Sequence, residues 1–274
     1  MQVSTVQPRL SPQLCDIPET MLWALHERAT EAKRPEGVLR DSRCIEIYDS
    51  LDYDFFGRFG QPTRRAAVRA MRVDHELRQW LSRHPSGLIV SLGEGLETQA
   101  VRIDNGSMGW LSVDLPEAIR VRERFLPPTE RFRHIAMSAF DPAWMDYVDD
   151  RSGVFIVAQG LFMYFESERV RELFVRIANR FSGGRMIFDV VPRWVSEPDR
   201  PAHKLSDMYT APTMPWGVDR DEIAPTLRSW WPAIKRIRTW RIGEPNDRPK
   251  IVEDILDGVL RSRQRQPSVV EVTF

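Results

Sequence analysis

Short apolar runs separated by amphipathic stretches dominate the chain from residue 84 onward. GLIVSL (87–92), GWLSVD (109–114), RFRHIAM (131–137), GVFIVAQ (153–159) and GRMIFDVV (184–191) are rich in β-branched or aromatic residues and have the length of strands. Segments with helical spacing separate several of them, notably PEAIRVRERF (116–125) and SERVRELFVRIANRF (167–181). This alternation predicts a mostly parallel α/β sheet covered on both faces. Ahead of it, residues 18–33 predict a helix, with proline in the first turn and Leu22, Leu25, Ala29 and Ala32 at helical spacing. Residues 35–62 read as loop and short helix around an aromatic turn, and 63–83 as an arginine-rich amphipathic helix.

The last third has a different pattern. Residues 192–216 are rich in proline and aromatics and too long for an ordinary connection. Beyond them, AIKRIRTWRI (233–242) and PSVVEVTF (267–274) read as two closing strands flanking a helix near 249–262. The expected organisation is an N-terminal helical cap over the active site (1–83) and a Rossmann-like core (84–274) carrying a lid insertion at about 192–230.

Composition narrows the partners. The 274 residues carry 39 Lys+Arg and 39 Asp+Glu, a formal net charge of zero, which gives no long-range attraction to nucleic acid or anionic lipid. All but Lys33, Lys204, Lys235 and Lys250 of the cations are arginine, a bias that reads as coding composition first and chemistry second. Cys15 and Cys44 have no metal-ligand spacing and fit a reducing compartment. Residues 1–20 contain no apolar h-region, and no stretch reaches eighteen apolar residues. The expectation is a cytoplasmic protein with no nucleic acid, membrane or metal partner, and a homodimer as an open possibility.

The candidate chemistry lies at the strand ends. Gly93 and Gly95 follow the first run, and Asp114 ends the second, 21 positions after Gly93. Glycines there allow a tight turn and close approach of backbone to a ligand. An acid at the tip of the next strand can accept from both ribose hydroxyls. The dinucleotide fingerprint fails at Thr98, and Glu94 and Glu97 are expected to place negative charge where a pyrophosphate would lie. A ligand with a ribose and a cationic centre, such as S-adenosylmethionine, tolerates those acids; an ordinary βα turn with an incidental aspartate is the alternative. Asp141, in MSAFDPAW, could accept from an adenine amine while Phe140 covers a ring face, or could simply open a turn. Gln159 and Gly160 end the fourth run, where a turn backbone could hold an amine.

These stretches resemble, in order and spacing, the leucine carboxyl methyltransferase-like family in its bacterial polyketide O-methyltransferase branch. VSLGEGLETQAVRI is similar to the family's LGAGLDTRAYRL signature, and SVDLPEAIRVRERFLPP, MSAFDPAWMDYV, AQGLFMYF and MIFDVVPRW follow. The resemblance covers roughly residues 18–274. It implies a class I methyltransferase fold of seven strands, the last antiparallel, with S-adenosyl-L-methionine as methyl donor. Gly93, Glu94, Gly95, Asp114, Leu115, Phe140, Asp141, Gln159 and Gly160 would then contact the donor. VRAMRVDHEL is similar to the family's RTRxxD segment, which makes Arg69 the candidate for the donor's carboxylate, with Asp74 beside it. Glu94, Glu97, Gln99 and Gln159 depart from the family pattern.

The implied function is O-methylation of a small-molecule acceptor, a carboxylate or phenol of a polyketide-like or aromatic secondary metabolite. A protein C-terminal carboxyl methyltransferase and a catalytically silent donor-binding protein are the alternatives. Trp194, Tyr209, Met214 and Trp216 are the expected acceptor surface. Arg193 could pair with an acceptor carboxylate, and His203 is the one histidine in the expected lid. A carboxylate acceptor is already ionised at neutral pH and needs no general base; a phenol would want one.

Overall fold

The computed structural model describes residues 9–149, 152–242 and 266–274. Four helices lead: α1 (Asp16–Ala32), α2 (Ser42–Asp49), α3 (Phe55–Phe59) and α4 (Arg65–Leu81). The sheet follows as β1 (Leu88–Leu92), β2 (Gly109–Asp114), β3 (Phe132–Ala136), β4 (Val154–Ala158) and β5 (Arg185–Val190). Between these strands run α5 (Gln99–Ile103), α6 (Pro116–Glu123) and α7 (Ser167–Arg180). The hairpin β6 (Lys204–Ser206) and β7 (Tyr209–Thr210), then α8 (Ile223–Trp230), lead to β8 (Arg236–Arg241) and β9 (Ser268–Thr273).

The seven-stranded sheet has the order β3-β2-β1-β4-β5-β9-β8. β1 to β5 pair in parallel, and β9 runs antiparallel between β5 and β8. This is the class I methyltransferase topology that the resemblance implies. Each predicted strand ends within a residue or three of the observed one. The helix expected near 249–262 lies outside the described residues.

The near-continuous apolar strands follow from burial on both faces. Leu88, Val90 and Leu92 of β1 face a cluster containing Val170, Leu173, Phe174 and Ile177 of α7. Ile89 faces the other way, among Val73, Leu77 and Trp80 of α4. Ile89, Val90 and Ile156 are fully buried, and each such side chain contributes roughly 1.5–3 kcal/mol on transfer from water. α4 is thus a covering layer of the sheet. A third cluster joins α1, α2 and α3 to Tyr209 of β7. The expected lid span divides in the same way: Ile223 and Leu227 of α8 pack in the main core beside α7, and Trp216 joins them.

Strand order reverses between β1 and β4. In open α/β sheets a crevice forms outside the carboxyl ends of the strands at such a reversal. Gly93 follows β1 and Gly160 follows β4, so the glycine turns fall at that crevice.

Candidate functional site

A cavity of about 1240 Å³ opens over these strand ends, walled by α1, the start of α4 and residues 191–215. Sites for one small molecule usually occupy ~300–1,000 Å³, so there is room for two ligands side by side. Gly93, Glu94, Gly95, Asp114, Leu115, Phe140, Gln159, Gly160 and Arg69 all line it.

The bend after β1 takes its shape from backbone that only glycine adopts easily. Gly93 and Gly95 have φ of 61° and 54°. A Cβ on Gly95 would stand 2.5 Å from that of Met21 on α1, which shows how closely the cap sits on the turn. Asp114 faces this bend directly. Its Oδ2 accepts from the Gly95 amide at 2.7 Å, and its Oδ1 accepts from the Leu115 amide at 2.8 Å. Two of about four lone-pair positions are thereby used, leaving one on each oxygen for a ligand. Burial pushes the Asp114 carboxyl above its usual range, while those two amides and Arg122 pull the other way.

A second carboxylate organises the opposite wall. Asp189 of β5 accepts from the Gly160 amide at 2.6 Å through Oδ1 and from Arg69 Nη1 at 2.8 Å through Oδ2. Burial opposes the charge on Arg69, but Asp189 outweighs it and holds the guanidinium pKa above its ordinary value. Arg69 Nε and Gln159 Oε1 are buried with no hydrogen-bond partner. Buried polar atoms left in that state normally mark a missing partner. Sequence reading missed Asp189, although an isolated acid in an apolar strand is itself a signal, since such a group must find a partner.

The structure revises the role given to Glu94 and Glu97. The Glu94 carboxylate turns inward, accepting from Trp110 Nε1 at 3.0 Å, from the Ser112 hydroxyl and from Arg122 Nη2 at 2.9 Å. Glu97 pairs with Arg28 at 3.1 Å and with Arg102 at 2.7 Å. Neither acid presents an uncompensated charge to the cavity, so neither carries the electrostatic argument against a phosphate. They brace the bend instead: Arg122 also donates to the carbonyls of Gly95 and Glu97, and Arg28 to that of Leu96. Thr98, at the third position of the failed fingerprint, donates to Asp41, the N-cap of α2. Asp74 lies outside the cavity lining, bonded to Gln99 and Arg102.

Burial pushes the Glu97 carboxyl up, but Arg102 and Arg28 outweigh it and hold it down at about 2. A depressed folded value means stability that is present above the ordinary value of 4.5 and lost as pH falls toward 2. Glu97→Gln should therefore melt well below the wild type at pH 6, with the gap closing by pH 2.5. Calorimetry across that range checks this; a constant gap would show that Glu97 titrates normally.

The remaining expected site residues separate into two groups. Phe140 lines the cavity, its ring 4.2 Å from that of Phe165 and under the Arg169 guanidinium. Trp194, Met214 and His203 also line it. Burial, Arg200 and Arg65 together lower the His203 pKa, so the ring is neutral at pH 7. Asp141, Arg193, Tyr209 and Trp216 are not among the lining residues. Asp141 is exposed and accepts from the Ala143 amide at 3.0 Å, capping the 3-10 helix Pro142–Tyr147. Arg193 binds Glu222 and, through its amide, Asp219. Tyr209 packs on Phe59, and Trp216 on Phe162 and Trp230. Their flat surface is spent on the core. Tyr164, which sequence reading passed over, lines the cavity, and burial pushes its hydroxyl up to about 12.

No family model matches the chain. It is 28% identical over 232 residues to the tetracenomycin polyketide synthesis O-methyltransferase TcmP of Streptomyces glaucescens, a match covering 83% of this chain and 84% of that protein. This bears out the resemblance read from the motifs. An S-adenosyl-L-methionine-dependent methyltransferase, dpfgK, of Gibberella zeae is 28% identical over 187 residues, 60% of this chain and 61% of its own length. Among solved structures, magnesium protoporphyrin IX methyltransferase from Synechocystis PCC 6803 with bound SAH aligns over 76% of this chain and 84% of its own, at 10% identity and a TM-score of 0.46. No described helix is long and apolar enough to cross a membrane. Among the described residues no group of three or more His, Cys, Asp or Glu could hold a metal ion.

Proposed function

We propose that this chain, a homologue of S-adenosylmethionine-dependent methyltransferases, transfers a methyl group to an oxygen of a small-molecule acceptor. A carboxylate or phenol on a polyketide-like or aromatic compound suits the cavity best. The observation that carries the reading is Asp114 fixed beside the Gly93–Gly95 bend with one acceptor position free on each oxygen.

The residues present fit the donor. Asp114 would accept from its ribose hydroxyls, and Phe140 would lie against its adenine. Arg69, clamped by Asp189, would bind its carboxylate, and the unpartnered Gln159 Oε1 would accept from its amine. When bound, the donor supplies an electrophilic methyl group on a cationic sulfur. The chain's own task is alignment to within about 3–3.5 Å and exclusion of water. α1, α3 and residues 192–215 serve as the cap that does this. Trp194 and Met214 offer apolar surface to the acceptor, and neutral His203 is placed to take a proton from a phenol; a carboxylate acceptor leaves it idle.

Two measurements test the reading. Calorimetry should show one S-adenosylhomocysteine site per chain, and mass spectrometry should find a 14-dalton gain on members of an aromatic acid and phenol panel given S-adenosylmethionine. His203→Ala should slow phenol methylation by roughly 100-fold and leave carboxylate methylation within a few-fold. Absence of S-adenosylhomocysteine binding would sink the proposal.

A further inference from the structure

The cavity rim away from Asp114 carries cations that the donor does not use. Arg65 begins α4 one turn before Arg69 and lines the same cavity, so the two side chains lie on one helix face. Arg200 lines it too, over the Trp194 indole with its guanidinium carbon 4.2 Å from the ring centroid. His203 stands with them, its ring centroid 6.0 Å from that of Trp23.

Neither Arg65 nor Arg200 has an acidic partner among the described residues. By contrast Arg28, Arg69, Arg102 and Arg122, whose side chains lie deeper in the fold, each meet a carboxylate. The acids on the same stretch are Glu197, whose carbonyl accepts from the Arg200 amide, and Asp199, and neither carboxylate pairs with Arg200. Stacking on Trp194 occupies the face of the Arg200 guanidinium and leaves its N–H donors in the plane, the arrangement that receives a carboxylate edge-on. Both guanidiniums depress the His203 pKa, and no acid opposes them there, so the field at this rim is positive.

We infer that Arg65 and Arg200 form an anion subsite at the cavity rim, with Trp194 as its wall, that seats the ionised group of a planar aromatic acceptor. This rests on the methyltransferase reading and names the acceptor's chemical class: an aromatic acid, held by its charge before its ring is covered. Charge-assisted pairing of this kind separates an acid from its uncharged isostere by about 10- to 100-fold.

The test is calorimetric titration of the full chain, first with S-adenosylhomocysteine and then, in its presence, with 2-naphthoate and with 2-naphthamide. The acid should bind at least 10-fold more tightly than the amide, and that preference should weaken with added salt. The Arg65→Gln, Arg200→Gln double variant should keep its S-adenosylhomocysteine affinity, which certifies its fold, and lose the preference to within about 3-fold. Equal binding of acid and amide by the wild type, or an undiminished preference in the double variant, overturns the subsite while leaving the donor site standing. Failure of S-adenosylhomocysteine to bind the wild type overturns both.

Discussion

Asp114→Ala lowers affinity for S-adenosylhomocysteine by at least about 100-fold. Each carboxylate oxygen already accepts one backbone amide, so the side chain cannot swing away and its free lone pairs are aimed before the ligand arrives. Hydrogen bonds to a charged acceptor contribute about 1.5–3 kcal/mol each, and loss of two amounts to about 3–6 kcal/mol, or two to four decades of affinity. Isothermal titration measures this directly. Thermal denaturation gives a second readout: ligand at 100 times its dissociation constant stabilises the wild type by about 2.7 kcal/mol, and that rise should vanish in the variant. Affinity within 10-fold of wild type would show that Asp114 does not grip the ligand and would remove the basis for placing the donor here.

Arg102→Met unfolds the protein at a much lower temperature. The Arg102 guanidinium is buried and meets Asp41 at 2.6 Å, Glu97 at 2.7 Å and Asp74 at 2.9 Å. Removing the cation leaves three buried carboxylates facing one another. Breaking a buried ionic cluster on one side costs about 3–5 kcal/mol, and at ~2–4 °C per kcal/mol the melting temperature should fall by roughly 6–20 °C. Arg171→Ala is the control, because its pairing with Glu168 one turn away is fully exposed and should leave the midpoint where it was. A melting temperature unchanged in Arg102→Met would mean that the cluster does not hold α2 and α4 to the turn.

The strands and long helices were legible because their signal is local. GWLSVD and MIFDVV are apolar runs of strand length, and burial on both faces leaves no other use for them. Gly93, Gly95 and Asp114 were legible for a related reason: glycines and an acid at strand ends stand out against apolar neighbours. What could not be read depends on partners distant in sequence. Arg28, Arg102 and Arg122 look like every other arginine in an arginine-rich chain, yet they neutralise Glu94 and Glu97 and reverse the electrostatic meaning of those acids. Tyr209 and Trp216 have the composition of a binding surface, but packing alone decides that they face the core. The β6–β7 hairpin is too short and too polar to show as a periodic pattern.

One consequence follows from the place of β9. It is the last strand in sequence, yet its two neighbours are β5 and β8, and all of Ser268–Val272 is buried. During synthesis the other six strands leave the ribosome first, with the edge of β5 unpaired and β8 without its hydrogen-bonding neighbour. The nascent chain therefore carries an open, apolar strand edge until β9 emerges, which is the kind of exposure that invites wrong pairing between chains. Folding of this sheet closes from the middle, when β9 enters between β5 and β8, and its yield in the cell should depend on what shields β5 in that interval.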